Sequence, residues 1–484
     1  MWGFLYWNTR KSIYRARARR DRCPCQNPSD SGRAGETGCD AALHYANPAR
    51  FRVVCPLLKP DANGMMKCSV AAADVRPFWG RPIALGLFLL IGGYAATVGA
   101  VYFGMRHIGY PVTVEMIAIP QNWRDIDQAR STYFLQKAEE SYQAGKLNEA
   151  VMSLSLAYEY DPTNYDAGLS LAKLWQAGRS DMSNLLYERL MTDHPEQQRR
   201  TAQTWLRALL PRADYSAIEE LAAVAFEFDP DFTPAWIHAL LFANERTQNT
   251  ALLTKLLQNK ATYSPGVREV LTLETEIRAR PGQFGQALLG HPPKPETPGF
   301  VVYYQLRRLI EMGDAESALR LLETLQTRLS DRDRISLQLQ AYSSQPEFAA
   351  SYARLLEQLV NIPPSLVQIE LLCAHLIAHP QPEFYRIVRA RIDPMELTKP
   401  TEQIAGLIAL FSLAASHTDG DRMEQLAAIL RQQTGTRFNA LSAVQAMVRA
   451  PDQVFVESVL PTLQPLSLEL VYAMLERFER PKTR

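Results

Sequence analysis

An uncharged apolar run from Ile83 to Met105 constrains the fold of this chain more than any other feature. An α-helix rises about 1.5 Å per residue and the hydrocarbon core of a bilayer is about 30 Å thick, so about 20 apolar residues cross it. A continuous helix also pairs its backbone amides internally, as lipid requires. Buried helices of soluble proteins are usually shorter and interrupted by polar residues. The run therefore predicts a transmembrane helix over residues 83–105.

Basic residues are concentrated before this run. Lys and Arg far outnumber Asp and Glu in residues 1–82, although the whole chain of 484 residues has a net charge of only +1. Arg76 and Arg81 flank the run on one side and Arg106 on the other. Because cytoplasmic flanks carry the excess of Lys and Arg, we expect the N terminus inside the cell and the chain after about residue 106 outside the cytoplasm. The first apolar residues precede the first basic ones, the reverse of a cleavable signal peptide, so we expect the span to be retained.

Cysteines are the second feature of the basic segment, residues 1–82. Five of them lie there: Cys23, Cys25, Cys39, Cys55 and Cys68. A segment this short builds a poor core, and a metal or a disulfide often stabilises such domains. In the cytoplasm clustered cysteines more often bind metal, so these five are candidate ligands of a structural zinc ion or an iron–sulfur cluster. Their spacing lacks paired Cys-x-x-Cys motifs, and reduced structural cysteines, or disulfides in an inverted topology, stay open alternatives.

The chain changes character after the apolar run. Residues 106–124 are predicted to form a strand-like linker, because the stretch from Tyr110 to Ile119 is rich in β-branched residues and is flanked by prolines. From about Asp125 to the end, apolar residues recur three and four positions apart, between turns that contain Gly, Pro or Asp. This pattern predicts an all-helical region.

A repeated pattern organises the helical region. Residues 131–164 place small residues at Ala138, Ala150 and Ala157, a bulky residue at Leu154 and a closing proline at Pro162. This stretch resembles the tetratricopeptide repeat (TPR), a 34-residue helical hairpin whose paired helices cross at small residues. Departures from the family pattern are Phe134, Lys137 and Ser141. Pairs ending in proline continue the period at intervals of about 33 to 35 residues: Asp161-Pro162, His194-Pro195, Asp229-Pro230 and Ser264-Pro265.

The resemblance implies an α-α superhelix in two parts. We expect a TPR-like solenoid over residues 125–280 and a second, degenerate one over residues 299–484, where residues 311–325 repeat the spacing of the first unit. Between them, residues 281–298 contain five prolines, which cannot continue a helix, and are expected to form a hinge.

No residue pattern indicates a catalyst. His375 and His379 lie four apart, as in zinc-protease helices, but no Glu follows the first histidine and no third ligand is evident near Cys373. Phosphate-binding loops, nucleophile elbows and kinase signatures are absent from the sequence, and no cofactor or small-molecule substrate is indicated. Basic residues of the helical region are mixed with acidic ones, so nucleic acid is not an expected partner.

The family resemblance implies binding of a protein or peptide partner on the helical surface. The sequence thus predicts a non-catalytic, single-pass scaffold or adaptor in a bacterial inner membrane, with a periplasmic solenoid; such anchored arrays occur in envelope assembly, secretion and polysaccharide export. The alternative is a transmembrane sensor, in which the cysteine-rich segment binds zinc or an iron–sulfur cluster and is coupled to the solenoid.

Overall fold

The computed structural model describes residues 58–60, 62, 66–68, 80–176, 178–258, 263–280, 293–363, 365–435, 439–450, 453–463 and 466–479. The chain divides into two compact units, residues 1–136 and residues 137–484, and the division falls within one helix. Apart from one short hairpin, the secondary structure of the described residues is helical, which confirms the predicted helical region.

The first unit contains the hairpin, the apolar helix and a short return segment. Strands β1 (Leu58–Pro60) and β2 (Met66–Cys68) are antiparallel, with Lys59 opposite Lys67. Helix α1 (Gly80–Ile108) is followed by α2 (Val114–Ala118), a 3₁₀ turn at Pro120–Asn122 and α3 (Trp123–Gln143).

Helix α1 contains the apolar run. Its stretch Ile83–Ile108 is long and apolar enough to cross a membrane, three residues longer than the predicted span. Large apolar side chains such as Phe88 and Leu90 are 72% and 73% exposed. A helix that is apolar on every exposed face fits lipid better than water.

The predicted strand-like linker at residues 106–124 is wrong, because this segment holds α2 and the start of α3 instead. Val112 and Ile117 are buried in one apolar cluster with Val98 of α1 and Ala129 of α3. Strand propensity largely reflects how well β-branched side chains pack. Here the packing partner is a helix, so the segment folds as a helical turn against it.

The second unit begins within α3 and continues through nineteen described helices. In chain order they are α4 (Leu147–Tyr160), α5 (Tyr165–Trp175), α6 (Ser180–Asp193), α7 (Gln198–Leu209), α8 (Tyr215–Phe228), α9 (Thr233–Thr247), α10 (Thr250–Gln258), α11 (Pro265–Ala279), α12 (Gly299–Glu311), α13 (Ala315–Leu325), α14 (Asp331–Ser344), α15 (Ala349–Asn361), α16 (Leu366–Ala378), α17 (Pro382–Arg391), α18 (Pro400–Ser416), α19 (Gly420–Thr434), α20 (Asn439–Arg449), α21 (Val456–Val459) and α22 (Leu468–Phe478).

Local signals set many of these boundaries. Asn164, Ser264, Asp314, Ser330, Ser365 and Asp419 each accept a hydrogen bond from a backbone N–H of the first turn that follows. Such caps satisfy amides that have no partner within the helix. Helices α4, α6 and α8 end immediately before Asp161, His194 and Asp229, the residues of the proline-containing pairs.

Neighbouring helices of the second unit pack in two ways. From α4 to α9 each helix contacts the next in the chain, and from α12 onward alternate helices also touch, so that α12, α14, α16, α18 and α20 contact one another in series. Ala138, Ala150, Leu154 and Ala157 are buried. The three alanines allow close approach of neighbouring helices.

The expected hinge lies partly outside the described residues, which resume at 293. The helices on its two sides, α11 and α12, are in contact. Glu274 of α11 is 1% exposed and accepts hydrogen bonds from Tyr304 and Arg308 of α12. A buried polar link of this kind holds α11 and α12 together.

Candidate partner-binding groove

Helix α22, close to the C-terminus, is enclosed by other helices of its own unit. Its six successive residues from Leu470 to Leu475 are all buried. The helix contacts α16 along its length and also the 3₁₀ turn Leu210–Arg212. A helix that is buried on all faces has neighbours all round. We call the surface that receives α22 the inner groove; it is built from the turn Leu210–Arg212 and from α9, α12, α14 and α16.

Aromatic packing holds the middle of α22 against α9. The ring of Tyr472 lies 4.2 Å from that of His238 and 4.6 Å from that of Phe242, between ring centres. Burial, and then the cations Arg307 and Arg246, lower the pKa of His238 well below its ordinary value. The imidazole is therefore neutral at physiological pH, and its Nε2 lies 2.8 Å from Nη1 of Arg307, which donates to it.

Charged contacts hold both ends of the C-terminal segment. After α22, Glu479 accepts from the hydroxyl of Tyr215 at 2.6 Å and from Nε of Arg246 at 2.7 Å. At the first turn, Glu469 lies 2.7 Å from Nη2 of Arg332. Glu479 and Arg246 are mostly buried, whereas Glu469 and Arg332 are partly exposed. Because partly exposed ion pairs contribute little to stability, the Glu479–Arg246 pair is the stronger of the two.

A buried charge network continues from the inner groove into the helices around it. Glu274 accepts from the Tyr304 hydroxyl at 2.5 Å, from Arg278 at 2.8 Å and from Arg308 at 2.7 Å. Burial opposes ionisation of Glu274, but Arg308 and the hydrogen bonds outweigh it and hold its pKa below the ordinary value. Arg308 also donates to Glu311 at 2.6 Å. The carboxylate is therefore ionised and fully paired at neutral pH.

Glu370, beside the first turn of α22, has a raised pKa, in contrast to the lowered pKa of Glu274. Burial, and then the charge of Glu469, raise the pKa of Glu370 to about 7, although Arg332 and Arg207 oppose the shift. Glu370 lies on α16, the helix that α22 contacts most. Its charge therefore changes near neutral pH at the edge of the inner groove.

An open cleft of about 260 Å³ adjoins the first turn of α22. One wall is apolar and consists of C-terminal residues, among them Leu460, Leu463, Leu468 and Val471. The opposite wall comes from α5 and α7 and includes Lys173, Thr204 and Arg207. The cleft thus combines an apolar side with two cations.

Neither cation of this cleft forms an ion pair with an acidic side chain that the structure describes, although Asp166 acts electrostatically on Lys173 and Glu370 on Arg207. Burial, and then the charge of Arg200, lower the pKa of Lys173. Arg207 is within electrostatic range of Glu370 but forms no ion pair with any described residue. A ligand with a carboxylate and apolar side chains would complement both walls.

A second groove, of about 710 Å³, lies between α19 and α20. Its walls mix Glu424 with Arg431 and Arg449. This lining contains an acidic side chain among its cations, whereas the first cleft has only cations beside its apolar wall, so the first cleft is the better candidate for an acidic ligand.

Most of the candidate metal ligands lie outside the residues that the structure describes. Cys23, Cys25, Cys39 and Cys55 lie outside the described residues, and Cys68 is the last residue of β2. Within the described ranges no three His, Cys, Asp or Glu side chains come together in a way that could hold a metal ion.

The two candidate histidines have different environments: His375 is in the core, whereas His379 follows α16 and is exposed. His375 is buried, and its Nε2 lies 2.7 Å from the hydroxyl of Tyr352. Burial, and then the neighbouring His379, lower the pKa of His375 to about 3. Cys373 is a fully buried free thiol. These side chains pack and hydrogen-bond within the helical unit.

The inner groove is not among the features predicted from the sequence. The stretch from Leu468 to Phe478 shows the spacing of an amphipathic helix, which predicts one covered face. The available signal is that six successive residues of α22, from Leu470 to Leu475, contain no charged side chain. A run of that kind indicates cover on more than one face.

Comparison with known proteins gives no relative from which a role could be transferred. No protein-family model matches the chain, and no curated protein matches its sequence.

Proposed function

We propose that this chain is a membrane-anchored, non-catalytic adaptor that binds a protein or peptide partner on a TPR-like solenoid formed by residues 137–484. The observation that carries the proposal is the inner groove, in which α22 is held as a bound helical peptide would be. Helix-in-groove recognition uses an apolar face for affinity and charged contacts for orientation. Tyr472 and Glu479 supply these two kinds of contact here.

The packing of the second unit supports a solenoid. Stacked hairpins bury a continuous core between neighbours and leave one row of helices facing inward. The series α12, α14, α16, α18 and α20 is consistent with such a row, and α22 lies on members of it. The buried small residues Ala138, Ala150 and Ala157 are at the positions where the TPR pattern requires them.

The partner segment that fits best carries an acidic group beside apolar side chains. Because α22 fills the inner groove, we place the partner in the adjoining cleft. There Lys173 and Arg207 would pair with a carboxylate, and the wall formed by Leu460 and Leu463 would receive apolar side chains. Two unpaired cations at the edge of an apolar cleft favour such a ligand over a neutral one.

Membrane anchoring completes the proposal. The length and exposed apolar surface of α1 support a single span. The basic flank supports an N terminus in the cytoplasm and a helical unit in the periplasm of a Gram-negative cell. Reporter fusions after residue 75 and after residue 125 test this orientation; an exported first fusion would reverse it.

The binding site is tested by photo-crosslinking of the full chain in its native membrane. A photoreactive amino acid at Thr204, in the cleft, should capture a discrete protein partner. The same residue at Leu185, exposed on α6, is the matched control and should not capture it.

Charge reversal makes this test specific. The double variant Lys173→Glu, Arg207→Glu should abolish the adduct at Thr204, because the partner's acidic group would then be repelled. Capture that is unchanged in this variant, or equal at Leu185, would contradict the proposed site. The thermal unfolding midpoint of the variant reports whether the helical unit is still folded.

A further inference from the structure

The return segment after the apolar helix has an exposed surface that the adaptor function does not use. Val114 and Ile119, at the two ends of α2, are 50% and 43% exposed, and Trp123 is 57% exposed. On the other side of the segment, Val112 and Ile117 pack against Val98 of α1. The segment therefore presents one apolar side to α1 and another to its surroundings.

The depth of this segment follows from its contacts with α1. Val98 lies ten residues before the end of α1 at Ile108, which is about 15 Å along a helix axis. The hydroxyl of Tyr94, still further from that end, donates to the backbone carbonyl of Ala118 at 2.5 Å. The chain therefore turns at Gly109 and runs back beside α1 for about 15 Å.

The length of α1 places this return segment within the bilayer. Its 29 residues extend for about 43 Å, which matches the roughly 40 to 45 Å of a bilayer with its headgroups. If lipid ended where the return segment begins to cover α1, near Tyr94, only about 18 Å of the span would remain from Ile83. That is too short for a hydrocarbon core of about 30 Å.

Two carbonyls at the end of α2 are satisfied by side chains, without water. The last carbonyls of a short helix have no partner within it. Here the carbonyl of Ala118 accepts from Tyr94, and the carbonyl of Ile117 accepts from Nε1 of Trp123 at 3.3 Å. Water-poor surroundings require such pairing, and Tyr and Trp are the residues that membrane interfaces favour.

We propose that residues 110–123 form a lipid-embedded shoulder on the C-terminal end of α1, with Val114, Ile119 and Trp123 in contact with phospholipid. Glu115 is exposed, and a carboxylate is costly in hydrocarbon. The Glu115 side chain must therefore extend toward the headgroups at the C-terminal end of α1, while α2 itself lies deeper beside Val98. The inference rests on the proposed membrane anchoring through α1, but not on the partner site.

Photo-crosslinking of the full chain to lipid tests the shoulder. The chain is reconstituted in vesicles of phosphatidylethanolamine and phosphatidylglycerol, with a benzophenone amino acid at Leu90, Val114, Ile119 or Leu185 in separate variants. Mass spectrometry then measures lipid adducts. We expect adducts from Val114 and Ile119 in yields within about threefold of Leu90, and none from Leu185, which is exposed on the second unit.

The outcomes separate the two proposals. Lipid adducts at Leu90 with none at Val114 and Ile119 would overturn the shoulder while leaving the anchor intact. Protein adducts at Val114 or Ile119 instead of lipid would assign this surface to a second chain and also overturn it. Failure at Leu90 would remove the anchor on which the shoulder depends. An unchanged unfolding midpoint of the second unit shows that this unit is still folded in each variant.

Discussion

Helices α1 and α22 have similar apolar side chains and opposite surroundings. In α1, Phe88 and Leu90 are 72% and 73% exposed, and the helix is long enough to cross a bilayer. In α22, six successive residues from Leu470 to Leu475 are buried among helices of the second unit. Hydrophobicity alone does not distinguish these two environments.

Helix length and the polar contacts at the helix ends distinguish α1 from α22. Helix α1 has 29 residues, and no charged side chain occurs from Ile83 to Met105. Helix α22 has 11 residues, too few to cross a hydrocarbon core that takes about 20. Its ends are held by Glu469 and Glu479, which pair with arginines of other helices. Protein surroundings thus offer ionic partners that lipid cannot.

The largest expected effect on stability concerns Glu274, a buried carboxylate of α11. Glu274→Gln leaves Arg278 and Arg308 without their shared carboxylate and should lower the free energy of unfolding of the second unit by about 3 to 5 kcal/mol at pH 7. Because the folded-state pKa of Glu274 is lowered, its contribution is present above the ordinary carboxyl pKa of 4.5 and is lost as the pH falls through the folded-state value.

Chemical denaturation at several pH values measures this effect. The control is Glu316→Gln, which removes an exposed partner 3.8 Å from Arg320 and should cost less than about 0.5 kcal/mol. Equal costs for the two variants would mean that burial of the Glu274 network does not matter.

A charge in the middle of α1 tests its lipid surroundings. Leu90→Arg should disfavour insertion by about 2.5 to 3.5 kcal/mol, since a charged side chain at the centre of a span is costly. The inserted fraction, measured with a glycosylation or protease-protection reporter, should fall. Leu185→Arg, at an exposed position of the second unit, should leave insertion unchanged. Normal insertion of Leu90→Arg would place this face of α1 in a polar environment.

Two buried tyrosines of the second unit form a matched pair. The hydroxyl of Tyr304 donates to Glu274, so Tyr304→Phe should cost about 1.5 to 3 kcal/mol. The hydroxyl of Tyr472 is buried without a hydrogen-bond partner among the described residues. Tyr472→Phe should therefore be neutral or stabilise by up to about 1 kcal/mol. A larger loss at Tyr472 than at Tyr304, by thermal or chemical unfolding, would contradict this description of the inner groove.

The smallest effect depends on pH at the edge of the inner groove. Because burial and Glu469 raise the folded-state pKa of Glu370 to about 7, the folded state binds more protons than the unfolded state between about pH 4.5 and 7. Stability is therefore lost as the pH rises through this window. Glu370→Gln should stabilise the second unit by roughly 1 to 2 kcal/mol at pH 8, a value reduced for solvent screening.

Unfolding measurements at pH 4 and pH 8 check this prediction. At pH 4 the Glu370 carboxyl is mainly protonated in both the folded and the unfolded state, so the stabilisation by Glu370→Gln should disappear. An advantage that is the same at both pH values would show that the ionisation of Glu370 has no part in it.

The sequence predicts local structure well where one residue decides it. Helices end before Asp161 and His194 as the proline-containing pairs indicate, and the apolar run is a helix. These features depend on the fixed geometry of proline and on a continuous absence of charge. Neither requires knowledge of distant neighbours.

Features that depend on distant neighbours were not predictable. Glu274 and Arg308 are 34 positions apart, and Tyr215 and Glu479 are 264 apart, so no local pattern joins them. The composition of the segment from Tyr110 to Ile119 predicts an extended strand or linker, but its packing partner is α1. Long-range packing decides both cases.

The central claim is that α1 is solvated by lipid and the apolar centre of α22 by protein. Alkaline extraction of membranes tests it most directly, on the full chain and on a variant that lacks residues 83–108. The account predicts that the full chain stays in the membrane pellet, whereas the variant is released and its helical unit still unfolds cooperatively. Release of the full chain, or retention of the variant in the pellet, would contradict it.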